Sequence, residues 1–391
     1  MVNELIRNRS WATEAGTRRF VKRHRHGKAA TAYRSVGGQL HLSTMGIGTY
    51  LGAPDDLTDQ RYEDAIFEAV RQGINVIDTA PNYRRGRAEL VVGRALRRLL
   101  DRRDVYRSEV LVASKVGFVP RSRNEADDSL DWFEAQTVGA GLARPDELVC
   151  GCHCIAPRYV AHMLDQSLEN LGVETLDVLF LHNPESQLQT IAKPQLLERI
   201  RGAFETMETA ADQGKIRVYG VATWSGLRAK PDDRDYLSIQ ELMQCAQDVA
   251  GARNRFKAIQ VPLSMSMPEA LTWRQQPLRG RQLSTLEAAR ELGLVTFTSA
   301  TLHQGKLCSS APPAEPLPAE ANLTESSNEQ ISAIHAAIQF GRSAPGVTSA
   351  LVGMSQVEHV KDNLRSLSCE HAPHDWLLAA ASPPEGAAIA G

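Results

Sequence analysis

The sequence predicts an α/β protein whose strands close into a (β/α)8 TIM barrel, and two observations support this prediction. Short apolar segments alternate eight times with longer amphipathic segments, a pattern typical of a parallel sheet covered by helices. Three of the apolar segments lead directly into ionisable side chains, and barrels of this kind carry their functional residues at the carboxyl ends of the strands. Eight repeats favour closure, and no strand is followed by the GxGxxG pattern of an open dinucleotide-binding sheet.

The predicted strands are short and apolar, and the predicted helices carry their apolar residues on one face. Strands are expected at residues 45–50, 74–77, 110–114, 176–181, 216–223, 258–263, 294–299 and 350–353. The helices that follow them are expected at residues 58–72, 88–103, 157–171, 194–214, 238–250, 284–293, 328–341 and 356–366. A hairpin turning at Gly37-Gly38 is expected before the first strand.

Three segments depart from this alternation. Residues 1–30 are rich in basic side chains and are expected to form a solvated arm, with a contact to a partner or an anion as the alternative. Residues 31–368 are expected to form the barrel, with residues 118–156 as a loop insertion after the third strand. The insertion is expected to fold over the substrate mouth, where Trp132 and Phe133 either line the pocket or pack within the insertion. Residues 369–391 are expected to form a flexible tail.

The composition is that of a globular protein and excludes two classes of partner. The chain has 391 residues, 42% hydrophobic and 23% charged, and its formal net charge is −2, so nothing draws it to nucleic acid or to a membrane surface. No apolar run approaches the ~18 residues of a membrane span. Six cysteines without a secretory leader predict a reducing, cytoplasmic setting.

Four ionisable residues at strand ends predict a proton-donating site. Asp78 and Tyr83 follow the strand at 74–77, Lys115 follows the strand at 110–114, and His182 follows the strand at 176–181. Reduction of a carbonyl needs a hydride donor and an acid, and free tyrosine, with a pKa near ~10, is a weak acid unless its anion is stabilised. A nearby lysine favours the phenolate, an aspartate holds that lysine, and a histidine can orient the substrate oxygen.

The run Cys150-Gly151-Cys152-His153-Cys154 raises the alternative of a metal site, with His371 and His374 as further ligands. Structural zinc sites prefer ligand pairs separated by two to four residues, and alternating cysteines fit that spacing poorly. Ordinary reduced cysteines are therefore expected here, and no metal is predicted.

Several motifs together resemble the aldo-keto reductase superfamily, from about Tyr33 to Leu367. Residues 78–83 resemble its DTAxxYG element, with Arg84 where a glycine usually follows, while Lys115 and His182 resemble its lysine and histidine at the ends of the third and fourth strands. Residues 214–221, 258–261 and 351–363 resemble the stretches of the family around its fifth, sixth and eighth strands.

The resemblance implies reduction of an aldehyde or ketone, a small-molecule carbonyl substrate, by NADPH, with NADH also possible. It implies that Tyr83 is the general acid, that Lys115 and Asp78 tune it, and that His182 orients the substrate. The implied cofactor-binding residues lie in or just after four of the predicted strands and in the last helix: Gly48, Thr49, Thr223, Gln260, Ser355, His359, Asp362 and Asn363.

The sequence departs from the family pattern mainly where the cofactor would bind. Ala222-Thr223 replaces a Ser-Asn pair, and no tyrosine follows the strand at 294–299 to stack on nicotinamide. Met354 and His359 stand where cations often hold the 2′-phosphate, which leaves the choice between NADP and NAD open.

Two other functions remain open from the sequence. The thinned cofactor contacts and the basic segment are compatible with a cofactor-binding regulatory barrel that has little or no turnover. Asp78 and His182 together with a metal ion could instead serve a barrel hydrolase.

Overall fold

Eight parallel strands close into a barrel in the computed structural model, which describes residues 11–122, 129–309 and 333–381. The strands of the described chain are β1 (Tyr33–Val36), β2 (Leu40–Ser43), β3 (Met45–Gly48), β4 (Val76–Asp78), β5 (Leu111–Val116), β6 (Leu176–His182), β7 (Ile216–Ala222), β8 (Phe256–Pro262), β9 (Gln276–Leu278), β10 (Arg281–Leu283), β11 (Val295–Ser299) and β12 (Ser349–Gly353). The barrel runs in the order β3 to β8, then β11 and β12, and β12 pairs with β3 to close it. The predicted (β/α)8 TIM barrel is confirmed.

Helices pack around the outside of the barrel. They are α1 (Glu14–His24), α2 (Asp56–Arg71), α3 (Arg87–Asp101), α4 (Leu130–Gln136), α5 (Pro157–Leu171), α6 (Lys193–Asp212), α7 (Ile239–Ala250), α8 (Glu269–Thr272), α9 (Thr285–Glu291), α10 (Ala333–Ser343), α11 (Val357–Leu364) and α12 (His374–Ala380). The expected start of the helix at 328–341 falls outside the described residues. Helix α9 shows how the sequence sets a boundary: the Ser284 hydroxyl accepts from the Glu287 N–H, and the Glu287 carboxylate accepts from the Ser284 N–H.

The hairpin predicted before the first strand is present and lies under the barrel. Strands β1 and β2 are antiparallel, and both turn glycines have positive φ, 55° at Gly37 and 68° at Gly38. Leu42 on β2 is fully buried in the apolar cluster that fills the barrel interior, together with Val76, Phe180 and Phe297. The hairpin therefore closes the amino end, and only the carboxyl ends of the strands are left to form a site.

Residues 14–24 are not a solvated arm, so that expectation is wrong for this part of residues 1–30. They form helix α1, on which Phe20 is fully buried. Arg19 and Arg23, one turn apart, both bind the buried carboxylate of Glu109, at 2.7 and 2.8 Å. The basic run is one face of a docked helix, because its arginines neutralise a carboxylate that would otherwise be buried without a partner.

The tail is also packed in its described part, contrary to the expected flexibility. Helix α12 buries Trp376 and Leu377, and the Trp376 ring meets Phe340 of α10 edge-to-face at 6.4 Å. These two large apolar side chains provide the burial that holds the segment on the barrel. Residues 382–391 lie outside the described residues.

The insertion between β5 and α5 packs mostly on itself. Phe133 is buried in the main apolar core, and the Trp132 indole N–H donates to the Pro120 carbonyl at 3.2 Å. Neither aromatic lines the cavity described below, so of the two expectations for them the packing one applies. Within the described part of residues 118–156, Phe118 is the residue that reaches the cavity.

Candidate active site

One cavity of about 820 Å³ lies at the carboxyl ends of the barrel strands. Eleven of the twelve residues predicted for the site line it: Gly48, Thr49, Asp78, Tyr83, His182, Thr223, Gln260, Ser355, His359, Asp362 and Asn363. Lys115, the twelfth, is fully buried behind them. These residues meet in one cavity because parallel strands bring residues that are distant in sequence to the same edge of the barrel.

Lys115 connects Asp78 to Tyr83. Its ammonium donates to the Asp78 carboxylate at 2.6 Å and to the Thr79 carbonyl at 3.0 Å. The same nitrogen lies 4.8 Å from the centre of the Tyr83 ring. All three residues are buried, and Tyr83 is only 8% exposed. The Asp78 carboxylate therefore balances the charge of Lys115 next to the phenol ring of Tyr83, largely shielded from solvent.

Opposing effects keep Tyr83 protonated and Lys115 charged. Burial raises the pKa of Tyr83, and the positive charge and hydrogen bond of Lys115 oppose that rise without reversing it. Burial alone would lower the pKa of Lys115, but Asp78 and Tyr83 outweigh it, so the pKa of Lys115 is raised. The expected lowering of the tyrosine pKa by lysine is thus present as a contribution, while the net direction is set by burial.

His182 faces Tyr83 across the cavity as a neutral ring. The two ring centres are 6.0 Å apart, and Phe118 meets His182 edge-to-face at 5.1 Å. Burial lowers the pKa of His182 well below its usual range, and the charge of Lys115 and the neighbouring His153 lower it further. A neutral imidazole can donate or accept one hydrogen bond at the cavity without carrying charge.

Gln260 reaches the same carboxylate as Lys115. Its side-chain amide donates to Asp78 at 2.8 Å, and since a carboxylate only accepts, the amide carbonyl is left for another partner. The Thr49 hydroxyl donates to the Asp78 carbonyl at 3.2 Å and lies 2.9 Å from the Thr79 hydroxyl, which can donate to it, and so it ties β3 to the loop after β4. Asp78 is therefore held from three strands.

Arg84 stands where the motif usually has glycine, and the structure explains how it fits. Its backbone has φ 47° and ψ 47°, the left-handed conformation that favours glycine. Its buried side chain donates to Asp59 on α2 at 2.7 Å and stacks on the Tyr62 ring at 4.6 Å. An ion pair and a cation–π contact thus offset the strain of an arginine in this conformation.

The far end of the cavity differs in charge from the Tyr83 end. It is lined by Ser355, Glu358, His359, Asp362 and Asn363, from the loop after β12 and helix α11. None of the described residues lining the cavity is a lysine or arginine. Met354, which stands where a cation is often found, is fully buried and does not reach the cavity.

Three aromatic residues at the mouth were not singled out from the sequence as site residues. Tyr50, Phe118 and Trp224 line the cavity, and Tyr50 meets Tyr83 edge-to-face at 4.9 Å. Trp224 is held by Glu185, whose buried carboxylate accepts from the Trp224 N–H at 2.7 Å. Their positions one to three residues after β3, β5 and β7 were the available signal, since such positions face the top of a barrel.

The described residues contain no group of three or more His, Cys, Asp or Glu side chains arranged to hold a metal ion. Cys150 is exposed, Cys152 is partly buried and Cys154 is buried. No helix in the described ranges is both long enough and apolar enough to cross a membrane.

Fold and site together define an α/β barrel with a buried lysine-tuned tyrosine at its top. The model of the Aldo/keto reductase family matches residues 44–376, and the chain belongs to that family.

Relatives and solved structures fall in the same family. The NADH-specific methylglyoxal reductase of Escherichia coli is 30% identical over 206 residues, which cover 51% of this chain and about half, 53%, of that protein. An aldo/keto reductase from Klebsiella pneumoniae, solved with NADP and acetate, is 20% identical with a TM-score of 0.58, covering 90% of this chain and 96% of its own. The glycerol dehydrogenase of Gluconobacter oxydans is 19% identical with a TM-score of 0.59, covering 90% and 94%.

Proposed function

We propose that the chain is an NAD(P)H-dependent reductase of small aldehydes or ketones and that Tyr83 is its proton donor. The observation that carries the proposal is the buried Asp78–Lys115–Tyr83 arrangement beside a neutral His182, at one end of a cavity of about 820 Å³. The named reductases among the relatives support the reaction class.

The residues present fit a nicotinamide dinucleotide, which supplies the hydride when bound. The cavity is lined by residues that include both Tyr83 and Asn363, and its volume of about 820 Å³ exceeds what a small substrate alone would fill. At the Tyr83 end, the Gln260 amide carbonyl and the Thr223 hydroxyl offer hydrogen bonds to the carboxamide of nicotinamide. Gly48 and Thr49 would border the same group.

Tyr83 protonates the oxygen that becomes an alkoxide as the carbonyl is reduced. Its raised pKa keeps the proton on the phenol until it is needed, and Lys115 stabilises the phenolate left behind. Asp78 keeps the ammonium of Lys115 in place, so it acts through Lys115 and not on the substrate. Neutral His182 donates a hydrogen bond that orients the carbonyl oxygen toward Tyr83.

The charges at the far end of the cavity favour NADH over NADPH. The phosphate that distinguishes NADPH needs a fixed cation, and Glu358 and Asp362 are carboxylates instead. The sequence between Lys306 and Arg342 contains no lysine or arginine, and Arg365, which pairs with Asp362 at 3.6 Å, does not line the cavity. A carboxylate can instead accept hydrogen bonds from the free ribose hydroxyls of NADH, as dinucleotide sites often do.

The test is Tyr83→Phe, which removes the phenolic proton and keeps the ring. Reduction of methylglyoxal and 4-nitrobenzaldehyde should fall about 10²- to 10⁴-fold in kcat, the usual contribution of a positioned acid. The affinity for NADH and NADPH, measured by fluorescence titration, should stay within about threefold of wild type, because the phenylalanine ring still lines the same part of the cavity. Tyr50→Phe, a second cavity tyrosine with a matched change, should keep most of the activity.

Two outcomes would contradict the proposal in different ways. Unchanged kcat in Tyr83→Phe would remove Tyr83 from its role as acid. Tight nucleotide binding by the wild-type protein with no turnover across a panel of aldehydes and ketones would instead favour a cofactor-binding regulatory barrel.

A further inference from the structure

A second buried histidine, His153, lies directly behind His182, and the reaction proposed above gives it no role. It comes from the insertion between β5 and α5 and is fully buried. Its Nε2 atom lies 2.8 Å from the backbone carbonyl oxygen of His182. Its Nδ1 atom lies 2.8 Å from the side-chain amide nitrogen of Gln187, which is also fully buried.

The tautomer of His153 follows from the groups around it. Arg199 can only donate, and its guanidinium lies 2.5 Å from the Gln187 amide oxygen, so the Gln187 NH₂ group must face His153. Nδ1 of His153 therefore accepts, and Nε2 carries the proton and donates to the His182 carbonyl. Burial lowers the pKa of His153 to about 4, which keeps this ring neutral at physiological pH.

The His153 ring also packs against Phe118, an aromatic residue that lines the cavity. Phe118 meets His153 edge-to-face at 4.9 Å and His182 edge-to-face at 5.1 Å, so one phenyl ring spans the two imidazoles. Gly117 lets the chains approach this closely: a Cβ there would lie 2.6 Å from the His182 carbonyl oxygen and 3.0 Å from His153 Nε2.

We propose that His153 is a positioning residue that fixes His182 through its backbone carbonyl and through Phe118. The inference rests on the proposed function, in which His182 orients the substrate. The need for such support is visible in the backbone, because β6 ends at His182 and Asn183 follows with φ 44°, a left-handed conformation. The insertion thereby acquires a role, because it supplies His153, which supports the histidine at the cavity.

The test uses two substitutions that separate hydrogen bonding from packing. His153→Phe keeps an aromatic ring beside Phe118 but removes the donor, and kcat should fall about 10- to 100-fold, as expected for a small displacement of a positioned group. His153→Gln keeps an N–H donor near the position of Nε2, and kcat should return to within about threefold of wild type. Affinity for NADH should be unchanged in both variants.

A second readout distinguishes positioning from a general loss of structure. If His182 shifts in His153→Phe, it gains water, and its pKa, followed by NMR of the labelled ring, should rise toward its usual value. Tyr219→Phe is the matched control, since it deletes a buried hydrogen bond of 3.0 Å between Tyr219 on β7 and Glu208 on α6. It should lower stability without changing kcat or the His182 titration.

Equal kcat in His153→Phe and wild type would overturn the inference, as would an unchanged His182 titration. The NMR measurement needs no turnover, so it tests the positioning role of His153 even if the protein proves not to reduce carbonyls. Failure of the proposed function would appear separately, as full activity in Tyr83→Phe.

Discussion

The two ends of the cavity differ in how deeply their ionisable side chains are buried. At the Tyr83 end the ionisable groups are buried and engaged: Lys115 lies 2.6 Å from Asp78, and Gln260 lies 2.8 Å from the same carboxylate. At the far end Glu358, His359 and Asp362 are exposed. Burial makes charge pairs costly to disturb, whereas exposed charges can be exchanged with small effect on stability.

This difference indicates where the chain is constrained and where it can vary. The Tyr83 end must hold a proton on one group and a charge on its neighbour, and both requirements depend on burial. The far end has only to match the charge of its ligand. Substitutions at the two ends should therefore differ in kind, with stability and kcat affected together at the first and nucleotide choice affected alone at the second.

The largest effect is expected for Lys115→Met, which leaves the Asp78 carboxylate buried without its ammonium. Breaking a buried pair in this way typically costs about 3–5 kcal/mol, and kcat should fall at least as far as in Tyr83→Phe, about 10²-fold or more. Urea unfolding and steady-state kinetics measure the two losses.

Lys215→Met is the matched control for Lys115→Met. Lys215 also binds a carboxylate at 2.6 Å, but the pair with Asp165 is on the surface. It should contribute only about 0–1 kcal/mol and leave kcat unchanged. Comparable losses in the two variants would contradict the contrast between buried and exposed pairs.

A smaller effect is expected from pH, through the buried histidines behind Tyr83. Histidine in an unfolded chain has a pKa of about 6.5, and burial lowers the pKa of His153 to about 4 in the folded protein, so the unfolded state binds the proton first. Stability is therefore complete above pH 6.5 and is lost as pH falls toward 4. From about pH 7 to about pH 5 this one group should cost roughly 2 kcal/mol.

The contribution of His153 can be isolated by difference, because burial lowers the pKa of other histidines too, including His24 and His182. The urea midpoint of His153→Gln should fall less between these pH values than that of the wild-type protein. His359→Gln, at the exposed far end, should follow the wild-type curve. Identical curves for all three proteins would show that His153 is not the group responsible.

The smallest effect is expected for Ser355→Arg, which places a guanidinium at the far end. NADPH should bind about 10-fold more tightly relative to NADH, since the 2′-phosphate gains a charge-assisted partner. Parallel fluorescence titrations measure the ratio. Ser35→Arg adds the same charge on the exposed hairpin at the opposite end of the barrel and should leave the ratio unchanged. A wild-type preference for NADPH would contradict the charge argument.

The barrel and most of the cavity could be predicted because both depend on local patterns. Strand ends such as Asp78 and His182 are marked by an apolar run that stops at a polar residue, and parallel closure brings them together. His153 could not be found in this way, because its role depends on a hydrogen bond to a backbone carbonyl 29 residues away. Nothing local to Cys152-His153-Cys154 indicates that contact.

For helix α1 the sequence does carry a local pattern, but that pattern alone leads to the wrong prediction. Its arginines suggest a solvated arm when read alone, and only the buried Glu109 shows why they point inward. A charge run predicts solvent exposure unless a counter-charge lies elsewhere in the fold, and that counter-charge is 86 residues or more away in sequence.

Arg84 has a consequence for how this family is recognised from sequence. The position after the tyrosine requires a left-handed backbone, and glycine is the usual solution because it carries no Cβ. An arginine meets the same requirement at a strain of roughly 1–2 kcal/mol when Asp59 and Tyr62 anchor its side chain. A sequence pattern that requires glycine at this position would reject this chain. A structural comparison of the backbone dihedral angles would accept it. The motif therefore requires a left-handed backbone at this position, and glycine is one of the residues that can adopt it.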